Sequence, residues 1–516
     1  MYNLCMSLAA SAQWHFLQSV ANLAYSNPFL PERIALERAA LQEDFVPGEP
    51  TWSASAADPD AARPNVARIY ARLETIIGAL RERFEASADL DAGEIAIYQE
   101  CVQYLLYQRY YSQFVLTRDR TPFYPHFSAD WAHYHHIPGK RIETAFDPAH
   151  VFACFRQVRR AFHHIFDNII GNSMPASRLR AAVWQSIFTH DMRRYLRTMY
   201  GRMGDFPTLI TGPSGTGKEL VARAIAGSRY IPFNPERMEF AEAKTDSFFA
   251  INLAALSPTL VESELFGHRR GSFTGAIADR KGWLESCPPG GSVFLDELGE
   301  MDLSIQVKIL RVMETRKFSA VGDTATRDFR GKLIAATNRE LPLEIRAGRF
   351  REDLYYRLCA DQIRTPSLCE QIRESPGVLR DLLLYMVKRA VGDEAEEALP
   401  EVERWIGANL PANYEWPGNY REVEQCVRNL LIHGSYQPME TASQPGEDVF
   451  FAKFRAGQWS ADEVLAKYAA QVYLQTGSYE EAARRMGVDR RTVRAKVQKY
   501  LEAGAADRTD PQPPEL

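Results

Sequence analysis

The feature that most constrains this chain is a strand, a glycine loop and a helix in direct succession, answered downstream by a second strand ending in two carboxylates. Pro207-Thr208-Leu209-Ile210-Thr211 is apolar enough for a buried strand. It runs into Gly212-Pro213-Ser214-Gly215-Thr216-Gly217-Lys218 and then into the helical pattern Leu220–Ala226. Glycines let a backbone wrap phosphates, a helix N-terminus offers its free N–H groups, and Lys218 adds a point charge for the outer phosphates. Glu219 follows, where the general pattern has Ser or Thr for magnesium, so a strict motif search rejects the loop. The second half is Ser292-Val293-Phe294-Leu295-Asp296-Glu297, a wholly apolar strand closing on paired acids. One carboxylate is needed near a magnesium ion and one to polarise an attacking water. A glycine-rich surface turn or a solvated acidic pair explains either half alone, but not both in this order.

Around this core the texture changes twice. Phe248–Ile251, Ser292–Leu295 and Lys332–Ala336 are further candidate strands, and their alternation with helical patterns predicts a parallel-sheet α/β domain over 178–364. Residues 365–435 return to helical spacing and are expected to form a smaller lid. Residues 1–175 read as helical: apolar positions recur at three and four through 65–88, 95–114 and 151–169, with a polar loop at 53–64. Eight of the eleven histidines lie between His126 and His190, in aromatic-rich segments that favour packed structure over a metal site. A linker is expected over 436–457, and a disordered tail over 504–516.

Composition removes several classes. The net charge of −5 excludes a polycation, so any nucleic-acid contact must be local. Seven scattered cysteines without a CxxC pair argue against a disulfide framework or a zinc knuckle. The absence of a long apolar run, and of a signal-peptide pattern at the start, leads to the expectation of a cytoplasmic protein.

The motifs together resemble one family, the AAA+ activators of sigma-54 RNA polymerase, or bacterial enhancer-binding proteins. The resemblance is carried in order by GPSGTGKELVARAIA (212–226), ESELFGHRRGSFTGA (262–276), GGSVFLDELGEMDLSIQVKILRVM (290–313), AATNREL (335–341), FREDLYYRL (350–358) and WPGNYREVEQ (416–425). It implies ATP and magnesium as cofactors, with Gly212, Pro213, Ser214, Gly215, Thr216, Gly217, Lys218 and Glu219 around the phosphates. Glu219 is then the family's own departure from the general motif. It further implies Asp296 at magnesium, Glu297 as general base, and Asn252 restraining that glutamate. Asn338 would sense the γ-phosphate, and Arg421 would be the lid-domain sensor. Arg351 and Arg357 resemble the arginines given to a neighbouring subunit's ATP, which implies self-association into a ring, with a hexamer as the expected size.

Gly271-Ser272-Phe273-Thr274-Gly275-Ala276 matches the family's GAFTGA loop, which touches sigma-54, with Ser272 in place of the usual Ala. Other departures are Pro213 for Glu, Leu253 for Cys, and an insert at Ser228–Ser247. None removes a group that the mechanism needs.

The segment Ser478–Tyr500 reads as a helix-turn-helix within 458–503, similar to the Fis-type domain of this family. Ser478 and Glu481 have capping-box spacing, Gly487 ends the first helix, and Asp489 caps the second. From Arg484 to Lys499 there are seven basic residues against one acid. Arg490, Arg491, Thr492, Arg494 and Lys496 are the candidate contacts to double-stranded DNA. An upstream helix, Ser460–Leu474, would supply a dimer contact. The expected fold class is therefore multidomain: a helical N-terminal domain, an α/β AAA+ P-loop ATPase domain with helical lid, and a C-terminal helix-turn-helix. The expected function is ATP-driven remodelling of the sigma-54 polymerase from an upstream DNA site. The competing expectation, a DNA-binding regulator independent of sigma-54, has no need of Phe273 and Thr274.

Overall fold

A computed structural model describes residues 12–48, 63–87, 91–116, 121–138, 140, 144, 146–241, 247–438, 454 and 457–506. Of the loop expected at 53–64, the linker at 436–457 and the tail at 504–516, residues 53–62, 439–453, 455–456 and 507–516 lie outside the described residues, whereas Pro64 already begins a helix and 504–506 continue one. The chain forms two compact units, Met1–Tyr436 and Gln437–Leu516.

The first unit begins with helices, among them Ala12–Tyr25, Pro31–Leu41, Pro64–Ala86, Ala92–Tyr110, Tyr124–His135, Pro148–Asn168 and Met174–Phe188. Their starts are chemically marked. Asp91 accepts the Glu94 N–H, Asp147 the Ala149 N–H, and Ser173 the Ala176 N–H, each satisfying a donor that the helix leaves open. In Pro64–Ala86 the buried residues are Ile69, Leu73, Ile77, Leu80 and Phe84, the single face that the three-and-four spacing predicts.

Five parallel strands follow: β1 (Thr208–Thr211), β2 (Phe248–Asn252), β3 (Ser292–Asp296), β4 (Lys332–Thr337) and β5 (Gln362–Arg364). They lie side by side in the order β5-β1-β4-β3-β2. β4 is buried along its whole length and β3 up to Asp296, as expected for strands covered on both faces. The order places β1, which feeds the glycine loop, next to β4 and one strand away from β3. The two halves of the predicted nucleotide site thus converge at the same carboxyl end of the sheet. Helices from Leu368 to His433 pack on their own core around Leu382, Val387, Val402, Trp416 and Val427.

The fold is the one expected: helical N-terminal region, parallel-sheet AAA+ domain and helical C-terminal region. Three details were not legible in the sequence. The helix Met174–Phe188 spans the boundary expected at 175–178, and Trp184 and Ile187 share one core with Ile210, Phe294 and Ile334 of the sheet. The helix Pro148–Asn168 packs along the helix Lys218–Gly227 that follows the glycine loop. Gln157 Nε2 donates to the Ser228 carbonyl at 2.9 Å across that contact. The insert after Ser228 folds into a short antiparallel hairpin, Phe233–Asn234 with Glu239–Phe240. Phe233 and Phe240 both enter the N-terminal helical core, where their rings meet Phe152.

The second unit holds helices Ala461–Thr476, Tyr479–Met486 and Arg490–Ala506, closed on Ala469, Val472, Ala482, Ala483, Val493 and Val497. Small alanines at the contact let the short helix lie close against its neighbours.

Candidate functional site

The glycine loop is shaped by close approach. Gly212 has φ +148°, and a Cβ there would lie 2.1 Å from Thr365 Oγ1. Gly215 has φ +75°, and its Cβ would lie 2.3 Å from the Gly418 carbonyl oxygen. No larger residue fits either position. Thr365, just past β5, locks the loop from one side: its N–H donates to Thr211 O at 2.8 Å, and its hydroxyl pairs with that of Thr216 at 2.7 Å. The lid locks it from the other. The Tyr420 N–H donates to Gly215 O at 3.1 Å, and Arg421 Nη1 reaches Ser214 Oγ at 3.4 Å.

Lys218 Nζ donates to the carbonyls of Gly212 and Pro213, each at 3.0 Å, which holds the ammonium under the loop. Asp296 ends β3, and its Oδ1 accepts the Glu297 N–H at 3.0 Å. Glu297 adopts a left-handed backbone (φ 54°), uncommon for a residue with a side chain and typical of functional sites. Burial pushes the Asp296 carboxyl up and the Lys218 ammonium down; the latter is opposed by Glu297 and Asp296. Both shifts disfavour the charged forms, and a phosphate beside Lys218 or a divalent cation beside Asp296 reverses them. The carboxylate oxygens are the hard donors that magnesium takes, and the glycine cradle fits a polyphosphate.

A cavity of about 410 Å³ joins these groups. It is lined by Ser214 to Glu219, Asp296, Glu297 and Arg421. Glu219 also pairs with Arg223 at 2.7 Å. Asn252 lies beside Asp296 in register, but its side chain accepts the Ala254 N–H at 2.9 Å and does not line the cavity. Asn338, just beyond β4, is exposed and also outside the lining.

The loop Gly271–Ala276 rises from a short hairpin, Gly267–His268 with Arg280–Lys281. Its base is stapled: Arg269 binds Asp279 at 2.6 Å and Asp323 at 3.0 Å, and the Gly271 N–H donates to Ala276 O at 2.8 Å. The glycines at its ends take φ +79° and +102°. The Phe273 ring stands edge-on to His268 at 4.9 Å, Thr274 is exposed, and Ile277 is 84% exposed. The Ser272 Cβ packs over Gly322, where an added Cβ would come within 2.7 Å. The Ser272 hydroxyl is buried without a hydrogen-bond partner among the described residues.

The glycine loop, Asp296, Glu297 and the loop Gly271–Ala276 all fall within one segment that matches a known domain. The sequence pattern of the sigma-54 interaction domain matches residues 188–364. The DNA-binding transcriptional regulator NtrC of Azospirillum brasilense is 33% identical over 344 residues, covering 59% of this chain and 67% of that one. The chain belongs to the sigma-54-dependent activators.

A further relative is the signal-transduction and transcriptional-control protein of Clostridium beijerinckii. It is 33% identical over 356 residues, which cover 67% of this chain and only 50% of that protein. The chain thus spans half the length of that relative. Among solved structures, NtrX of Brucella abortus in complex with ATP aligns with 69% of this chain and 77% of its own, at 23% identity and a TM-score of 0.38.

In this chain the expected trans-acting arginines do not line the nucleotide cavity. Arg351 forms a two-pronged pair with Asp353, at 3.0 and 2.6 Å, and Arg357 donates to Met313 O at 3.3 Å. The cavity also has walls that no motif indicated. Tyr385 and Arg389 come from the lid helix Val378–Val391, and Asn168 to Ile170 from the end of the N-terminal helical region. Sequence spacing carries no signal for them, because they reach the site only through packing. Asn419, inside the WPGNYREVEQ motif, has a left-handed backbone, which Asn after a glycine at a helix start adopts more readily than most residues.

In the C-terminal unit, Asp489 accepts the Thr492 N–H at 2.9 Å, as its capping role predicts. Arg491 and Arg494 are exposed, and Arg490 pairs with Glu480 at 3.0 Å. Lys496 is half-buried and, with Lys499, bound to Asp462 of the upstream helix.

Among the described residues, no group of three His, Cys, Asp or Glu side chains is placed to hold a metal ion. Nor is any helix among them long and apolar enough to cross a membrane.

Proposed function

We propose that this protein is an ATP-hydrolysing activator that remodels the sigma-54 polymerase into the open complex from an upstream DNA site. The observation that supports this is the presence, in one unit, of a phosphate-and-carboxylate site at the carboxyl edge of the parallel sheet and a stapled loop that exposes Thr274 and holds Phe273 against His268. The proposed domains are residues 1–175 for regulation, 178–364 and 365–435 for the ATPase and its lid, and 458–503 for DNA.

In the proposed mechanism, Lys218 and the loop N–H groups hold the outer phosphates, and Glu297 takes a proton from the attacking water. Magnesium, when bound at Asp296, neutralises phosphate charge. Arg421, already at the loop through Ser214, reports nucleotide to the lid. Asn252, paired in register with Asp296 on the adjacent strand, leaves Ala254 to restrain Glu297, and Asn338 just beyond β4 senses the outer phosphate. Arg351 and Arg357 serve the neighbouring subunit, since their own cavity lies elsewhere; making hydrolysis depend on a neighbour's cation couples it to ring assembly. Exposed Leu303, Val307 and Tyr356, on the helices around these arginines, support such an interface, and a hexamer is the proposed ring. Arg490, Arg491 and Arg494 are the proposed DNA contacts, with Thr492 at the start of the recognition helix and Lys496 as its brace through Asp462. Exposed Tyr468 and Leu474 on the upstream helix support a dimer contact there. The six cysteines among the described residues are all free, which supports a cytoplasmic setting.

The test is open-complex formation by purified protein with sigma-54 polymerase on promoter DNA carrying an upstream site. Opening should require ATP and fail with a non-hydrolysable analogue. Opening with the analogue, or with a polymerase carrying a different sigma factor, would reject the proposal.

A further inference from the structure

The helix Leu303–Thr315 starts just after the turn that follows Glu297, and near its beginning it carries an amide, Gln306, that is fully buried. A buried amide needs partners, and this one takes them from the main chain on either side of it. Nε2 donates to the Met301 carbonyl at 2.8 Å and to the Arg349 carbonyl at 3.0 Å, and Oε1 accepts the Arg351 N–H at 2.8 Å. Both N–H groups and the oxygen are therefore engaged. The segments they join have different duties. Met301 closes the turn of the carboxylates: its N–H donates to Leu298 O at 3.1 Å, and the Glu300 N–H donates to Glu297 O at 2.9 Å. Arg351 stands at the N-cap of the helix Glu352–Leu358, whose last turn holds Arg357. A second chain of contacts runs alongside. Glu300 pairs with Arg339, the neighbour of Asn338; Arg339 pairs with Glu344 at 3.4 Å, and Glu344 with Arg349 at 2.6 Å. None of these side chains lines the nucleotide cavity.

We propose that Gln306 is a positioning residue for hydrolysis: it makes the turn bearing Glu297 and the segment bearing Arg351 one rigid piece, with the Glu300–Arg339–Glu344–Arg349 chain as an outer brace. This rests on the roles given above to Glu297 as base and to Arg351 as an arginine donated to a neighbouring subunit. In such a ring the base of each chain serves its own ATP and the arginine serves the next one. The two groups of one chain thus act at two sites, and their relative placement decides whether both sites reach attack geometry together. A misplacement of about 1 Å in groups of this kind costs on the order of a hundredfold in rate. Glutamine suits the task because it is neutral and can be buried, and because one amide both donates and accepts. An apolar side chain of the same size would fill the space and leave two carbonyls and one N–H without that bond.

The experiment is the steady-state ATPase of the full chain, read beside binding of a fluorescent ATP analogue, for Gln306→Met, Arg351→Ala and the double variant. Gln306→Met should lower kcat by roughly tenfold and leave KM and nucleotide binding within about twofold, because the cavity itself is untouched. A residue that only supports the fold would lose the same factor in any background. A positioning residue should not: once Arg351 is gone, Gln306→Met should cost no more than about a further twofold. An unchanged kcat, a raised KM at unchanged kcat, or a full loss added to that of Arg351→Ala overturns the proposal. If Arg351→Ala alone leaves kcat unchanged, the trans-arginine reading fails and this inference falls with it, a result distinct from additivity. Should Gln306→Met not fold, Glu300→Gln, at the exposed end of the outer brace, decides. It should lower kcat several-fold only while Arg351 is present, and an unchanged kcat overturns the proposal.

Discussion

The Asn419 side-chain amide donates to the Ser214 carbonyl at 2.9 Å, while its oxygen accepts the Leu368 N–H at 2.8 Å. One buried residue therefore fastens the glycine loop to the lid and fixes the chain's entry into the lid. It does so from a left-handed backbone, φ 53°. Asn419→Ala and Asn419→Gly remove the same two bonds, but only alanine meets the steric cost of that conformation. The alanine variant should be less stable than the glycine variant by about 1 kcal/mol, and both should raise the KM for ATP several-fold. Thermal melts and steady-state ATPase assays decide it; a glycine variant less stable than the alanine one contradicts the strain argument.

Glu297→Gln should bind nucleotide as the parent does and lose hydrolysis by roughly a hundredfold or more, the contribution expected of a general base. Lys218→Ala should lose binding itself. Fluorescent-nucleotide titration beside the ATPase assay separates the two, and a Glu297→Gln variant that fails to bind removes the assignment.

For the loop, Phe273→Ala should keep ATPase activity and lose transcription. Ser272→Ala should behave differently: it removes a buried hydroxyl that has no partner and retains the Cβ that packs on Gly322. We expect unchanged activity and a stability gain of at most about 1 kcal/mol. A Ser272→Ala variant that loses open-complex formation would mean that the hydroxyl itself contacts the polymerase.

Phe233→Ala should cost about 3 kcal/mol, because its ring fills the N-terminal core between Tyr124 and Phe152, at 4.5 and 4.8 Å. An exposed hairpin would lose almost nothing, so chemical denaturation of the variant discriminates cleanly.

Lys332 is buried at the start of β4, where Nζ donates to the Phe206 carbonyl at 2.7 Å. Burial lowers its ammonium from the ordinary 10.5 to about 7. Between those values the unfolded chain holds a proton that the native one releases, so this group makes stability rise with pH from about 7 to about 10. Below about 7 both states are protonated, and its contribution no longer changes with pH. Lys332→Met should flatten the rise in the thermal midpoint across that window. An equally steep rise in the variant would assign the slope to other groups.

What the sequence by itself determined is local and periodic. The strand, loop and helix from Pro207 to Ala226 were legible because glycine, lysine and apolar spacing act within one turn. The helix faces of the N-terminal region and the caps at Ser478, Gly487 and Asp489 were legible for the same reason. Asp296 and Glu297 could be placed opposite Lys218 because a buried parallel strand must end at the carboxyl edge of its sheet. What only the tertiary structure decided depends on which distant surfaces meet. Thr365 reaches the glycine loop because β5 pairs with β1, and Asn419 reaches it because the lid folds back. The insert is part of the N-terminal core because two phenylalanines find Phe152. Periodicity marks which face of an element is buried, but burial is non-directional, and the partner against which each face closes is fixed by the shape of the whole.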